Sequence, residues 1–221
     1  MRRCRELLCL AGGVMMMLFG ASGCATDVAA LVGSGTRASE MRQLEPFTRV
    51  EIRGAADTDV VVGEPQSVQI EADDNILPIV ETYVSSGTLV VATRQNYRSR
   101  APMRVHVVVP ALSGISVPGS GELRASGVKA GDFTIALSGS GNIIVNGTAS
   151  SVSVRLSGSG NVNAGGLVTQ RGDVQLAGSG NVDVNSSESL KVRLSGSGNV
   201  HYHGDPNLDA HVSGSGLVHG R

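Results

Sequence analysis

Histidines near the C-terminal end are the residues of this sequence whose type and spacing come nearest to a metal site. His201, His203 and His219 lie close together in the sequence, with His211 between them. Neutral imidazoles are common ligands of zinc and copper, but no acid or cysteine partner is evident from the sequence. A weak metal site through His201, His203 and His219 is therefore one hypothesis. Ordinary exposed histidines are the other.

Four arginines form a second group of side chains that could bind a ligand. They surround Tyr97 in a segment flanked by strand-like sequence: Arg94, Arg98, Arg100 and Arg104. Clustered cations attract anions such as lipid headgroups, lipopolysaccharide or an acidic glycan. We therefore predict an anion- or glycan-contacting loop at this place, with a solvated loop as the alternative.

Motifs for catalysis and for nucleotide binding are missing from the sequence. Dinucleotide-binding loops need a third glycine after the first two, and none follows at that position; Gly-Lys-Ser/Thr and Gly-x-Ser-x-Gly are also absent. The formal net charge is −1, without the basic face typical of a nucleic-acid binder. The sequence therefore predicts no catalytic residue, no cofactor and no nucleic-acid partner. A polysaccharide-cleaving β-helix enzyme stays open, although no sustained acidic cluster favours it.

The elements that must position these residues form an internal repeat. Six Gly-Ser-Gly segments follow one another at spacings of 20, 19, 20, 18 and 18 residues and begin at Gly119, Gly139, Gly158, Gly178, Gly196 and Gly214. Two and four residues before each segment the side chains are apolar, and the residue between them is mostly polar. This alternation is typical of a strand with one buried face. In four copies an asparagine follows the segment: Asn142, Asn161, Asn181 and Asn199.

A chain that coils once per repeat satisfies all of these columns. Equivalent residues then stack about 4.8 Å apart in parallel strands, and the apolar columns merge into a core that no single copy could bury. Glycines suit the tight corners, and stacked asparagines can form an amide ladder. We therefore predict one all-β parallel solenoid domain over residues 41–219, with β-rich coils over 41–112 and about six Gly-Ser-Gly coils over 113–219. An antiparallel sandwich or barrel is the alternative.

The first residues of the chain indicate export. Basic residues precede an apolar run that ends in small residues before Cys24, as in a secretory signal. We predict a signal peptide over residues 1–23, lipidation of Cys24 at the new N-terminus, and a flexible tether over 24–40. The residue after the cysteine, Ala25, favours the outer membrane, facing the periplasm or the cell surface. A cleaved signal with an unmodified Cys24 is the alternative.

Four strand-like segments precede the repeats in a characteristic order: residues 47–50 (FTRV), 68–77 (VQIEADDNIL), 89–91 (LVV) and 105–110 (VHVVVP). With the Gly-Ser-Gly-Asn repeats behind them, they resemble a bacterial family called putative auto-transporter adhesin, head GIN domain. The resemblance covers residues 42–219. It implies a right-handed parallel β-helix-like fold in secreted or lipid-anchored envelope proteins, and it brings no catalytic residues with it.

These features together predict a non-enzymatic cell-envelope lipoprotein whose solenoid is a scaffold or an adhesin-like binding surface. Its expected partners are the membrane, through the lipid, and a glycan or an envelope protein. Open solenoid ends expose unpaired strand edges, so we also expect either self-association through the ends or a cap from the N-terminal half. A polysaccharide-binding or polysaccharide-cleaving protein and a weak periplasmic metal binder remain alternatives.

Overall fold

The computed structural model describes residues 30–221, and nearly all of them lie in β-strands. A single 3-10 turn, Leu77–Ile79, interrupts the strands. The N-terminal half contains β1 (Leu31–Val32), β2 (Arg37–Arg42), β3 (Arg49–Ile52), β4 (Ala56–Val62), β5 (Ser67–Asp73), β6 (Val80–Ser85), β7 (Thr88–Thr93), β8 (Tyr97–Arg98) and β9 (Met103–Val109). The C-terminal half contains β10 (Gly114–Gly119), β11 (Glu122–Gly139), β12 (Asn142–Gly158), β13 (Asn161–Gly178), β14 (Asn181–Gly196), β15 (Asn199–His203), β16 (Asn207–Gly214) and β17 (Leu217–Gly220).

The C-terminal half is a parallel solenoid. Strand β11 pairs in parallel with β12, β12 with β13, and β13 with β14. The register is the one that the repeat columns predict, because Leu137 lies opposite Leu156 and Leu156 lies opposite Leu176. The predicted all-β solenoid is therefore confirmed, and the antiparallel sandwich or barrel is wrong for this half.

The core runs along the solenoid axis. Apolar residues at alternate positions of β10–β14 are buried and belong to one continuous cluster that extends from Phe47 to Val200. The residues between them point outward and are exposed or half-buried. Each coil therefore completes the interior of its neighbours, and stacking supplies the burial that a single coil lacks.

The Gly-Ser-Gly corners hold consecutive coils at close range. The backbone N–H groups of Ser159 and Gly160 both donate to the carbonyl oxygen of Gly139 in the preceding coil, at 3.0 Å each. Gly158 has φ of 124°, and a Cβ placed there would lie 2.4 Å from the same oxygen. Only glycine has both the positive φ and the missing side chain that this approach requires.

Beside these corners, the four predicted asparagines form an amide ladder. Asn161 Nδ2 donates to Asn142 Oδ1 at 3.1 Å, Asn181 Nδ2 to Asn161 Oδ1 at 2.9 Å, and Asn199 Nδ2 to Asn181 Oδ1 at 3.1 Å. Each inner asparagine thus donates to the coil before it and accepts from the coil after it. The ladder ends at Leu217, whose backbone N–H donates to Asn199 Oδ1.

The N-terminal half continues the stack and then closes it with antiparallel strands. β3 lies parallel to β10 and β7, and β4 lies parallel to β11 and β9. Beyond them β6 pairs antiparallel with β7, β5 with β9, and β2 with β5. The residues at the β6–β7 turn, Ser86 and Gly87, both have positive φ, as a tight hairpin requires. Hairpin turns therefore replace solenoid coils at this end.

The described part of the predicted tether is structured, so that prediction is wrong for residues 31–40. β1 pairs in parallel with β8, and β2 forms six antiparallel pairs with β5. The amide of Asn75 also donates to the carbonyl oxygen of Val32 at 2.8 Å. Main-chain pairing of this kind holds the segment against the body although its side chains are small and polar. The predicted signal peptide, residues 24–29 and Cys24 lie outside the described residues.

Replacing one corner glycine tests the dependence of the fold on close stacking. We expect Gly158→Ala to lower the free energy of unfolding by about 2 kcal/mol or more, because the new methyl group meets a backbone oxygen and φ is unfavourable. Gly131→Ala is the matched control, since a Cβ at Gly131 would meet nothing within 4 Å. Urea denaturation of both variants measures the difference, and equal effects would contradict the stacking argument.

Candidate functional site

A cleft of about 530 Å³ lies where the parallel stack gives way to the antiparallel strands. One wall is the segment from Thr93 to Met103, which includes β8. The other wall is the first Gly-Ser-Gly corner together with residues 53–55. The polar and aromatic side chains of Arg53, Asn96, Tyr97, Arg98 and Ser120 line this cleft. We call it the N-terminal cleft.

Strand β1 positions the wall of the N-terminal cleft that residues 93–103 form. The N–H of Leu31 donates to the carbonyl oxygen of Asn96 at 3.0 Å, and the N–H of Gly33 donates to that of Arg98 at 2.7 Å. Tyr97 is thereby held between two main-chain contacts with its side chain half-buried. The segment that was predicted to be a tether thus builds part of the site.

A buried carboxylate, that of Asp73, also holds the wall that residues 93–103 form. Asp73 is 2% exposed, and its Oδ2 accepts from the hydroxyl of Ser99 at 2.8 Å and from the N–H of Gly35 at 3.4 Å. Arg37 Nη1 lies 4.0 Å from its Oδ1. A buried charge needs such partners, so Asp73 connects β2, β5 and the wall of the cleft in one polar network.

The two charged side chains that line the N-terminal cleft, Arg53 and Arg98, are both cationic. Burial, together with the carboxylates of Asp57 and Asp73, raises the pKa of Tyr97, so its phenol remains a neutral donor. Arg53 Nε donates to Glu51 Oε1 at 2.6 Å, and this hydrogen bond raises the pKa of the guanidinium. Arg98 is exposed, and within residues 30–221 no acidic side chain forms an ion pair with it.

The four arginines of the predicted anion-binding loop do not form one patch. Arg94 pairs with Glu81 at 2.9 Å between Nε and Oε1. Arg104 lies opposite Asp57 on one neighbouring strand and opposite Glu71 on the other. Arg98 lines the N-terminal cleft, and it also lines, with Arg100, a smaller cavity of about 360 Å³ beside Asp73. Of the four, Arg98 and Arg100 are therefore the two that line a cavity.

Sequence reasoning missed Arg53 and Asn96 as members of this site. Arg53 comes from the end of β3, and an isolated bridge between Gly54 and Gly119 brings it beside the first corner. Val50 and Ile52 stand four and two residues before Gly54, as the apolar residues do before each Gly-Ser-Gly segment, so a column alignment could have grouped Gly54 with the corner glycines. That alignment was the available signal for Arg53, whereas no sequence signal marked Asn96.

The predicted histidines lie at the opposite end of the solenoid. His201 and His219 are register partners, with 2.9 Å between Nδ1 of His201 and Nε2 of His219. His203 instead contacts Asp183, with Nε2 3.0 Å from Oδ1, and Arg221 lies 3.7 Å from the other carboxylate oxygen. Among residues 30–221, no group of three or more His, Cys, Asp or Glu side chains is arranged to hold a metal ion. The metal site through these histidines stays a prediction.

A second, shallower depression crosses the outer face of the middle coils. It has a volume of about 420 Å³ and is lined mainly by small or apolar side chains, among them Ala136 and Ala177, with Arg155 and Arg193 beside them. The small residues leave a furrow between neighbouring outward columns. We call it the coil groove.

A continuous parallel stack around one apolar core places this chain among the β-solenoid proteins. Within residues 30–221, no helix is long and apolar enough to cross a membrane. The family model described as "putative auto-transporter adhesin, head GIN domain" matches residues 46–206, and the chain belongs to that family. The resemblance inferred from the strand order is thus confirmed.

Solved structures share this fold at low sequence identity. A "putative adhesin" from Bacteroides fragilis is 20% identical with a TM-score of 0.71, and the match covers 87% of this chain and 100% of that one. A "putative lipid binding protein" from Parabacteroides distasonis is 21% identical with a TM-score of 0.54, and a "putative adhesin" from Parabacteroides merdae is 16% identical with a TM-score of 0.58. Each of these two matches covers 87% of this chain and 99% of the other. No curated protein matches this chain.

The paired histidines predict how the last coil responds to pH. Burial first, and then the charges of His219 and Arg221, lower the pKa of His201 below its usual 6.5. The unfolded chain therefore binds this proton more readily, and the stability that neutral His201 contributes is lost as the pH falls from 6.5 through the lowered pKa.

NMR titration of the His201 ring should give a midpoint below 6.5. His219→Gln should move that midpoint upward only partly, because burial is the larger cause. His106→Gln, at the other end of the solenoid, is the control and should leave the midpoint unchanged. A midpoint at or above the usual value in the wild type would contradict the assignment.

Proposed function

We propose that the protein is a non-enzymatic lipoprotein of the cell envelope that binds an acidic glycan in its N-terminal cleft. One observation carries the proposal: Arg53, Asn96, Tyr97 and Arg98 converge on a single cleft of about 530 Å³. Membership of a family described as a putative adhesin supports a binding role at the envelope.

The chemistry of the N-terminal cleft fits a sugar acid. Guanidinium groups bind carboxylate or sulfate through paired charge-assisted hydrogen bonds, and Arg98 is free among the described residues to do so. The amide of Asn96 and the hydroxyls of Tyr97 and Ser120 can form hydrogen bonds with sugar hydroxyls, and the aromatic face of Tyr97 can pack against a pyranose ring. The volume falls within the range of ligand pockets.

Removing the exposed guanidinium tests the glycan proposal. We expect Arg98→Gln to weaken retention on uronic-acid or sulfated glycans about tenfold or more, because a charge-assisted hydrogen bond is lost. Arg155→Gln, on the coil groove, is the matched control and should retain binding. A glycan array probed with the full chain provides the measurement, and equal effects of the two variants would contradict the proposal. Absorbance from unsaturated uronic-acid products in the same samples would instead support the cleaving alternative.

The envelope part of the proposal rests on the first residues of the chain. A basic start, an apolar run and small residues before Cys24 have the order of a lipoprotein signal. Attachment there would lie close in sequence to β1, and therefore to the N-terminal cleft. The cleft would face the region next to the membrane.

Substitution of the acylation position tests the anchor. Cys24→Ala should release the protein from the membrane fraction and abolish incorporation of labelled palmitate, since stable membrane attachment depends on acyl chains. Cys9→Ala, inside the predicted signal peptide, is the control and should behave as wild type. Membrane fractionation and radiolabelling measure both variants, and an unlabelled wild-type chain would contradict lipidation of Cys24.

A lipid-binding role is the second candidate function, and the coil groove favours it. Ala136 and Ala177 offer an apolar floor, while Arg155 and Arg193 could receive an anionic headgroup. The Parabacteroides distasonis neighbour carries the description "putative lipid binding protein". The two arginine variants distinguish the candidates, because only Arg155→Gln should weaken binding to anionic lipid vesicles if the groove holds lipid.

A further inference from the structure

In the part of the chain that the structure describes, the outer edge of the last coil is uncovered. β16 pairs with β14, and β17 pairs with β15. Within residues 30–221 no strand pairs with their other edges. Every residue of β16 is exposed, whereas the preceding strand β14 alternates between buried and exposed positions. The cap that the N-terminal half was expected to supply closes the other end only.

Apolar side chains of the core reach solvent at this end. Leu208 is 37% exposed and Val212 is 41% exposed, although their register partners in β14, Leu190 and Leu194, are buried. Leu217 is 63% exposed and occupies the column position that asparagines hold in the four preceding coils. The terminal coil thus exposes its interior column and also replaces the polar ladder residue with an apolar one. Exposed apolar side chains on an unpaired strand edge are typical of an association surface.

The edges at the two ends differ in charge. At the N-terminal end, the edge strand β2 carries Arg37, Glu40 and Arg42, and the edge strand β6 carries Glu81. Charged edges of this kind resist pairing with another strand. β16 carries Asp209 as its single full charge, with His211 two residues away. Association of two C-terminal ends is therefore favoured over head-to-tail stacking.

We propose that the uncovered coil binds a second copy of this chain, with β16 pairing antiparallel to its counterpart about a two-fold axis at Ala210. Residues directly opposite each other in an antiparallel pair point to the same face. In this register Leu208 lies opposite Val212 of the second copy, so the exposed core columns cover one another. Asp209 lies opposite His211 of the second copy, so an acid meets an imidazole on the outer face.

Charge around this pair supports the same register. Asp209 already lies 4.0 Å from Lys191 in the coil before it, and His211 lies beneath Arg193 in the same way. Asp209 of the second copy would therefore lie next to His211 and Arg193 of the first copy.

The alternative registers lack this match. A shift of one residue places Asp209 opposite Val212 of the second copy. A two-fold axis at Asp209 or at His211 instead places that residue opposite its own counterpart in the second copy. Only the two-fold at Ala210 pairs apolar with apolar and acid with imidazole.

Disulfide trapping tests the geometry in the cell envelope with the full chain. Ala210→Cys should give a cross-linked species of twice the subunit mass on mild oxidation, because the two-fold brings the two cysteines together. Thr134→Cys lies in the Asp209 column on an internal coil and is the matched control, and the wild type reports any cross-linking through native cysteines. Equal dimer from the control, or a cross-link to a different protein, would overturn the proposal.

Charge reversal tests the register separately. His211→Asp places like charges opposite each other twice per dimer, and we expect self-association to weaken about tenfold. The double variant Asp209→His/His211→Asp restores complementary pairs and should recover it. Analytical ultracentrifugation in detergent measures both, and thermal melting checks that the variants fold. A double variant no stronger than the single one would rule out the proposed register.

Discussion

The close approach of each coil's backbone to the next at the Gly-Ser-Gly corners is the constraint on which this structure depends. Two N–H groups of each corner share one carbonyl oxygen of the preceding corner, as Ser159 and Gly160 share that of Gly139. A side chain at Gly158 would force the coils apart at that point. Coils held at strand spacing bring the leucine columns into contact and put the asparagine amides within hydrogen-bond range. The corners therefore set the spacing that the core and the ladder share.

The candidate site arises where this regular stacking stops. At the N-terminal end the chain changes from parallel coils to hairpins, and the segment carrying Asn96, Tyr97 and Arg98 forms a cleft with the first corner. The network around Asp73 holds that segment and β1 in place. Regular stacking provides the rigid support, and the irregular segment provides the concave surface. Binding residues on loops over a rigid scaffold are a common arrangement.

The columns around the Gly-Ser-Gly corners could be predicted from the sequence, because each of them repeats its residue type. The register shifts elsewhere in β11–β14 carry no such signal. The Asn142–Asn199 ladder and the His201–His219 pairing both follow from that periodicity. The N-terminal half has no repeat, so its partners depend on hairpin turns that only the three-dimensional structure shows. Residues 24–40 were predicted to be a tether because most of their side chains are small or polar, although main-chain pairing holds β1 and the first residues of β2. The arginines near Tyr97 were predicted as one group, yet the strand register places acids beside Arg104.

The uniform contact between neighbouring coils has a consequence for how such chains can change length. A coil of the middle region makes nearly all of its contacts with the coil on either side, and every corner presents the same backbone to the next. Duplication or loss of one whole repeat in the gene would therefore rejoin equivalent surfaces. Such an event would alter the reach of the rod by about 4.8 Å per coil while leaving both ends intact. The repeat thus lets evolution adjust the distance between the two ends independently of what each end does.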